Sequence, residues 1–248
     1  MATSSSSPAD RGITVFCGSS PGHDPIYLET ATSLAQAIAR AGMTLVYGGG
    51  TNGLMGRVAQ RTAALEAGGR VHGITPAAFL HKEAPDRPSR LNPRQTETIC
   101  ASMHERKKMM TDHSQAFVGL PGGNGTLEEV FEMSTWSQLG IQAKPVVLIN
   151  VNGYFSPLRV FIENAIEAGF ISPTHRNFLI FVDDPSHSYL PSPGLADGET
   201  KHDVPSSFDW GRAALLAIKR WREEGMGGAV PFDFPWHEDK DHRKLEVA

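Results

Sequence analysis

Two rhythms of apolar residues alternate along this chain. Short β-type runs fall at 13–17, 44–47, 71–75, 116–120, 145–150 and 178–182, with a further short one at 96–100. Between them lie stretches whose apolar positions share one helical face. In 27–41, Leu28, Ala31, Leu34, Ala35 and Ile38 line up, and Gly42 follows as a stop. The same reading predicts helices over 57–67, 102–113, 130–139, 157–168 and 208–221. Strands and helices in strict alternation indicate an α/β domain with a parallel sheet covered by helices on both faces. Such sheets bind ligands at the carboxyl ends of their strands. The rhythm lapses over 79–94, rich in proline and mixed charge, which reads as a surface loop. It lapses again over 183–207, rich in Pro, Ser, Gly and Asp. The expected organisation is a Ser-rich leader over 1–11, a core over 12–182, and a C-terminal extension over 183–248 made of a loop, one helix and a loose charged tail.

Three glycine- or serine-rich turns fall at predicted strand ends. Gly18-Ser19-Ser20 follows Cys17. Gly48-Gly49-Gly50-Thr51-Asn52-Gly53-Leu54-Met55-Gly56 follows Tyr47. Pro121-Gly122-Gly123-Asn124-Gly125-Thr126-Leu127-Glu128-Glu129 follows Leu120. Backbone N–H groups at a helix start attract anions, and glycine lets a phosphate approach them closely. The second turn lacks the Gly-Lys-Ser/Thr ending of a P-loop and the spacing of a dinucleotide fingerprint. Carboxylates beside a phosphate cradle point to chemistry on a phosphorylated small molecule.

Each candidate has a plainer reading. Thr126 to Glu129 fits a capping box, with Thr126 as N-cap and Glu129 bonding back. One carboxylate in one rotamer does not serve both a cap and a crevice, and spacing alone weighs toward the cap. Arg106 and Lys107 fit solvated helix charges. His104 and His113 lack metal-ligand spacing, Cys17 ends a buried strand, and no elbow sequence supports a Ser-His-Asp triad.

The net charge of −4 disfavours nucleic acid or an anionic membrane as a bulk partner. Two cysteines, Cys17 and Cys100, do not make a disulfide scaffold. No apolar run approaches a bilayer span, and the leader lacks the apolar stretch of a signal peptide. A cytoplasmic location is expected.

Five segments, in order, resemble one family. Pro121 to Glu129 is similar to the PGGxGTxEE signature of the LONELY GUY proteins, the cytokinin riboside 5′-monophosphate phosphoribohydrolases. Met103-His104-Glu105-Arg106-Lys107 resembles the family's MHxRK segment, and Gly48 to Gly56 its GGGxxGLMG turn. Cys17 to Ser20 and Thr135-Trp136-Ser137-Gln138-Leu139-Gly140 are similar to its first-strand ending and its TWxQLG helix. The resemblance implies a Rossmann-like sheet and a hydrolase that cuts the N-glycosidic bond of an N6-modified adenosine 5′-monophosphate, with no metal or organic cofactor. It implies Arg106 and Glu129 as the catalytic pair. It further implies substrate contacts from Ser19, Gly49, Gly50, Glu83, Lys107, Gly123, Asn124, Gly125, Thr126, Leu127, Glu128 and Thr135. It also implies a homodimer or higher homo-oligomer, with Trp136 and Leu139 as candidate contacts. Members are often labelled lysine decarboxylases, yet no lysine here stands in an evident pyridoxal-phosphate context. Two rival functions use the same crevice: a general AMP nucleosidase, and a non-catalytic nucleotide carrier.

Overall fold

The computed structural model describes residues 12–65, 69–83, 94–186 and 208–225, with the side chains of 81–83 excepted. The leader, the proline-rich stretch from 84 to 93, most of the 183–207 segment and the tail past 225 lie outside the described residues.

The seven strands are β1 (Gly12–Phe16), β2 (Thr44–Tyr47), β3 (Arg70–Pro76), β4 (Gln95–Cys100), β5 (Ala116–Gly119), β6 (Val146–Ile149) and β7 (Leu179–Val182). They form one sheet in the order β4-β3-β2-β1-β5-β6-β7, every pairing parallel. The strands step outward from β1 to β4, then resume on its other side with β5. The direction of winding therefore reverses between β1 and β5, where a doubly wound sheet opens its ligand crevice. β5 and β6 are buried at every position, as strands covered on both faces must be.

The helices are α1 (Ile26–Arg40), α2 (Gly53–Ala64), α3 (Ala77–Glu83), α4 (Met103–Asp112), α5 (Asn124–Gln138), α6 (Ser156–Glu167) and α7 (Trp210–Glu223). One core cluster joins Ile13 and Val15 of β1 to Leu34 of α1, Val58 of α2 and Ile218 of α7. The opposite cluster joins Phe16 to Met110 of α4, Val130 and Met133 of α5, and Ile162 of α6. Helices thus cover both faces, as the alternating pattern predicts. The ring planes of Phe16 and Phe117, on adjacent strands, are nearly parallel at 6.0 Å.

Local chemistry sets the ends of the elements. After α1, Gly42 takes φ +66°, the left-handed conformation that lets its N–H and that of Met43 reach back to Ala39 and Ile38. Three helices depart from the sequence reading by more than two residues. α2 starts at Gly53, four residues before the predicted 57: Leu54 and Met55 of its first turn donate to the Gly18 carbonyl while the Leu54 side chain enters the core. Residues 79–83 belong to α3 and not to a loop. α5 begins at Asn124, inside the glycine turn, six residues before the apolar pattern becomes visible at 130.

α7, which follows the 183–207 segment, is fitted closely to α1. Gly211 donates to Ser33 Oγ at 2.9 Å, and Asp209 both accepts from Ser33 and caps α7 at Arg212. Trp210 and Trp221 are buried, and Trp221 Nε1 donates to the Asn177 carbonyl at 2.7 Å.

Candidate functional site

The three glycine turns meet at one residue. Gly18 donates its N–H to the Pro121 carbonyl at 3.0 Å, tying the turn after β1 to that after β5. Its own carbonyl accepts from Leu54 and Met55, at 3.1 and 3.3 Å, tying in the turn after β2. The Leu54, Met55 and Gly56 N–H groups in the first turn of α2 are therefore satisfied by protein. Gly53 fits against Ser19 and Ser20 at φ +59°. A β-carbon there would lie 2.4 Å from the Ser19 carbonyl group. Gly53→Ala is expected to lower stability by ~1–3 kcal/mol, from backbone strain together with this overlap. Urea unfolding would read it as a lower midpoint at unchanged slope.

The turn after β5 is the opposite case. Gly123 is the N-cap of α5, and no side chain caps that helix. Gly123, Asn124 and Gly125 are exposed, and β-carbons at the two glycines would meet nothing within 4 Å. An uncapped helix start presents free N–H groups and the positive end of the helix dipole, a geometry that favours an anion. Thr126 is buried beneath this turn, its Oγ1 filling the space where a Gly122 β-carbon would sit. The capping-box reading is therefore corrected: Thr126 is the third helical residue, not the N-cap, and Glu129 does not reach back to it. A reciprocal cap does exist one helix earlier. Ser102 Oγ accepts from the Glu105 N–H at 3.1 Å, while Glu105 Oε2 accepts from the Ala101 N–H at 2.7 Å. The Ser102-x-x-Glu105 spacing is the signal that sequence reading passed over.

Glu129 is 8% exposed, and its carboxylate lies 3.3 Å from Arg106 Nη2. Helical side chains lean toward the N-terminus of their helix, so the sixth residue of α5 points back under its open start. Arg106 is itself 8% exposed, which corrects the plain reading of a solvated charge. Its Nη2 abuts the Gly48 backbone, where a β-carbon would come within 2.1 Å of it. Nη1 faces Met103 Sδ at 3.6 Å. The second turn therefore contributes Gly48 as a wall for the arginine. Gly49 and Gly50 are buried behind it, Gly50 against Met55.

Burial pushes the Glu129 carboxyl up to about 7. The Arg106 charge pulls it back, while the neighbouring Glu128 pushes it further up. A carboxyl poised near neutrality in a crevice suits proton transfer. Burial, then the Glu129 charge, also push the Cys17 thiol far above its ordinary value, so Cys17 is packing and not a nucleophile.

Lys107 is buried too, but faces elsewhere. Burial acts to depress its ammonium, and the hydrogen bonds it donates to Glu128 and Glu132 overcome this and raise it. Nζ lies 2.5 Å from Glu128 Oε1 and 2.6 Å from Glu132 Oε2. Lys107 and Glu128 thus form a second ion cluster beside the first. Glu132 was missed, although it sits one helical turn from Glu128 on the same face. Leu127 packs its side chain against the core, and its N–H is spent on the Gly123 carbonyl. Thr135 is exposed, about 10 Å along the helix from Glu128. Ser19 is exposed at the mouth. Glu83 ends α3, and its side chain lies outside the described residues. Tyr154, which nothing in the sequence singles out, donates its hydroxyl to the Gly122 carbonyl at 2.6 Å. Among the described residues no group of His, Cys, Asp or Glu is placed to hold a metal. No described helix is long and apolar enough to cross a membrane.

Residues 55–189 match a protein family described as "Possible lysine decarboxylase". The cytokinin riboside 5′-monophosphate phosphoribohydrolase LOG5 of Arabidopsis thaliana is 48% identical over 181 residues, spanning 73% of this chain and 75% of that protein. A bacterial enzyme of the same name from Rhodococcoides fascians is 43% identical over 178 residues, 71% of this chain and 86% of its own. A probable member from rice, LOGL2, is 43% identical over 231 residues, 91% of this chain and 84% of its own. Among solved structures, the Moco carrier protein of Chlamydomonas reinhardtii superposes at a TM-score of 0.54 with 20% identity. The match covers 87% of this chain and 99% of that one, a likeness of fold alone. With the glycine turns, the Arg106–Glu129 pair and this level of identity across most of its length, the chain belongs to the LONELY GUY family of cytokinin riboside 5′-monophosphate phosphoribohydrolases.

Proposed function

We propose that the protein hydrolyses the N-glycosidic bond of N6-modified adenosine 5′-monophosphates, giving the free cytokinin base and ribose 5-phosphate. The observation that carries this reading is the buried Arg106–Glu129 pair lying under an uncapped, glycine-lined helix start. The names of the relatives support the substrate class.

In this scheme the substrate phosphate sits on the N–H groups of Gly123, Asn124, Gly125 and Thr126. That leaves the anomeric carbon over Glu129. As the bond from C1′ to the purine lengthens, its electron pair leaves with the base and positive charge gathers on the ribose. Ionised Glu129 stabilises that charge and holds a water, whose oxygen bonds to C1′ while one of its protons passes to the carboxylate. The departing purine takes up a proton from solvent and Glu129 returns its own to solvent, so that one water is consumed and the enzyme is restored. Arg106, permanently charged, donates hydrogen bonds to negative charge developing on the base and holds Glu129 in place. Glu128, more than half exposed, faces the ribose hydroxyls, with Lys107 fixing it. Ser19, Gly49, Gly50 and Glu83 complete the wall, and Thr135 stands apart.

The protein acts in the cytoplasm as a homodimer or higher homo-oligomer in this reading. The exposed Phe161 and Phe170 are further apolar surface that an assembly would cover. Light scattering of the purified chain tests that part.

Product analysis on isopentenyladenosine 5′-monophosphate and AMP in parallel, without added metal or cofactor, tests the reaction. Free base plus ribose 5-phosphate, with the modified nucleotide preferred, is the expected outcome. Equal or faster cleavage of AMP would replace the reading with a general nucleosidase. Tight binding of both without cleavage would replace it with a carrier.

A further inference from the structure

The Gly122–Gly123 peptide has glycine on both sides. In a trans peptide the C=O and the following N–H point in opposite directions. With no β-carbon flanking it, this plane can turn over at little steric cost. One orientation aims the Gly123 N–H into the cradle at the start of α5. The other aims the Gly122 carbonyl, an oxygen with partial negative charge, at the same place. An anion site there exists only in the first orientation.

Tyr154 decides between them. Its hydroxyl donates to the Gly122 carbonyl at 2.6 Å, on the side away from the N–H. Tyr154 is 41% exposed, and its phenol is held by two ring contacts and by its backbone. Its ring meets Tyr27 edge-on at 6.1 Å and the buried Phe155 at 5.1 Å. Its backbone follows a 3-10 turn, Val151–Gly153, in which Asn152 takes φ +52° and donates to Asp24 at 3.0 Å. Below that turn, Asn150, fully buried, accepts from the Phe155 N–H at 2.6 Å. A loop anchored to β6 and to the loop before α1 therefore reaches over and grips one carbonyl of the glycine turn. From beneath, Thr126 Oγ1 packs against the Gly122 α-carbon and stops the turn from sinking.

We propose that Tyr154 is a positioning residue that locks the Gly122–Gly123 peptide with its N–H facing the substrate phosphate. This rests on the phosphate-cradle reading given above. Tyr154→Phe removes the hydroxyl and keeps the ring contacts, so the fold is retained. Calorimetry with ribose 5-phosphate and, separately, adenine measures the two halves of the site. The variant is expected to bind ribose 5-phosphate about five- to tenfold more weakly, the scale of one lost hydrogen bond. Adenine binding should be unchanged. KM for the nucleotide should rise by the same factor, with kcat held within about twofold. In a ¹⁵N-labelled sample, the Gly123 amide should lose its response to ribose 5-phosphate while that of Gly125 keeps it. Unchanged ribose 5-phosphate affinity would overturn the role of Tyr154, as would an equal loss for adenine, which would mark a general disturbance. Wild-type protein with no affinity for ribose 5-phosphate would instead overturn the cradle reading on which the inference rests.

Discussion

Glu129→Gln is expected to bind nucleotide and to release base roughly 10³-fold more slowly than the wild type, the scale of a lost charge or general base aimed at a transition state. The glutamine keeps the size of the side chain beside Arg106, whose Nη2 lies 3.3 Å from the Glu129 carboxylate. It loses the negative charge that faces the ribose. The wild type supplies its own control through pH. Its Glu129 titrates near 7, and the chemistry needs the ionised form. Activity is therefore absent well below that value, rises as pH passes through it, and levels off above. The substrate phosphate has its second ionisation near 6, so kcat/KM carries both limbs, whereas kcat belongs to the bound complex. A pH series from 5 to 9, with base release followed by chromatography, separates the two. The glutamine variant should keep the phosphate limb and lose the carboxyl one. A variant releasing base at close to the wild-type rate would make Glu129 a structural partner of Arg106 and nothing more.

Much of the fold is written in the chain because a parallel sheet buried on both faces needs runs such as 116–120 and 145–150. The glycine turns are equally visible, since composition marks them. What the sequence hides are the places where long-range contact overrides local rules. Apart from the family resemblance, no local pattern distinguishes Arg106 and Lys107 from two surface charges until α4 is laid against α5 and each finds a carboxylate there. The start of α5 is obscured for a related reason. A helix normally announces itself by its cap, and this one is left uncapped, with the only competing signal a Thr-x-x-Glu pattern in the wrong place. Gly123 to Glu129 is thus a place where local rules and the observed structure disagree, the kind of place where functional sites are expected. Tyr154 carries no local signal at all. It matters through one hydrogen bond to a residue 32 positions away.

Arg106→Ala is expected to cut turnover by a factor of hundreds, on the scale of a removed electrostatic donor. It should also change the pH at which the remaining activity appears. Burial drives the Glu129 carboxyl up and the Arg106 charge is the main influence pulling it down. Without that charge the carboxyl climbs above 7, and the rising limb of the rate moves to higher pH. The loss should not be a loss of folding. Arg106 Nε is buried without a hydrogen-bond partner among the described residues, a state that costs stability. Truncation removes that unsatisfied donor, and Glu129 can answer the missing charge by taking up a proton. Thermal unfolding near pH 6 should therefore stay close to wild type. Arg106→Lys sharpens the test. A lysine restores the charge, so the limb should return toward its wild-type position. An ammonium does not reproduce the planar guanidinium that lies against Gly48, so the rate should return only in part. An Arg106→Ala limb at the wild-type pH would show that the arginine does not tune Glu129. A wild-type rate would remove it from the chemistry altogether.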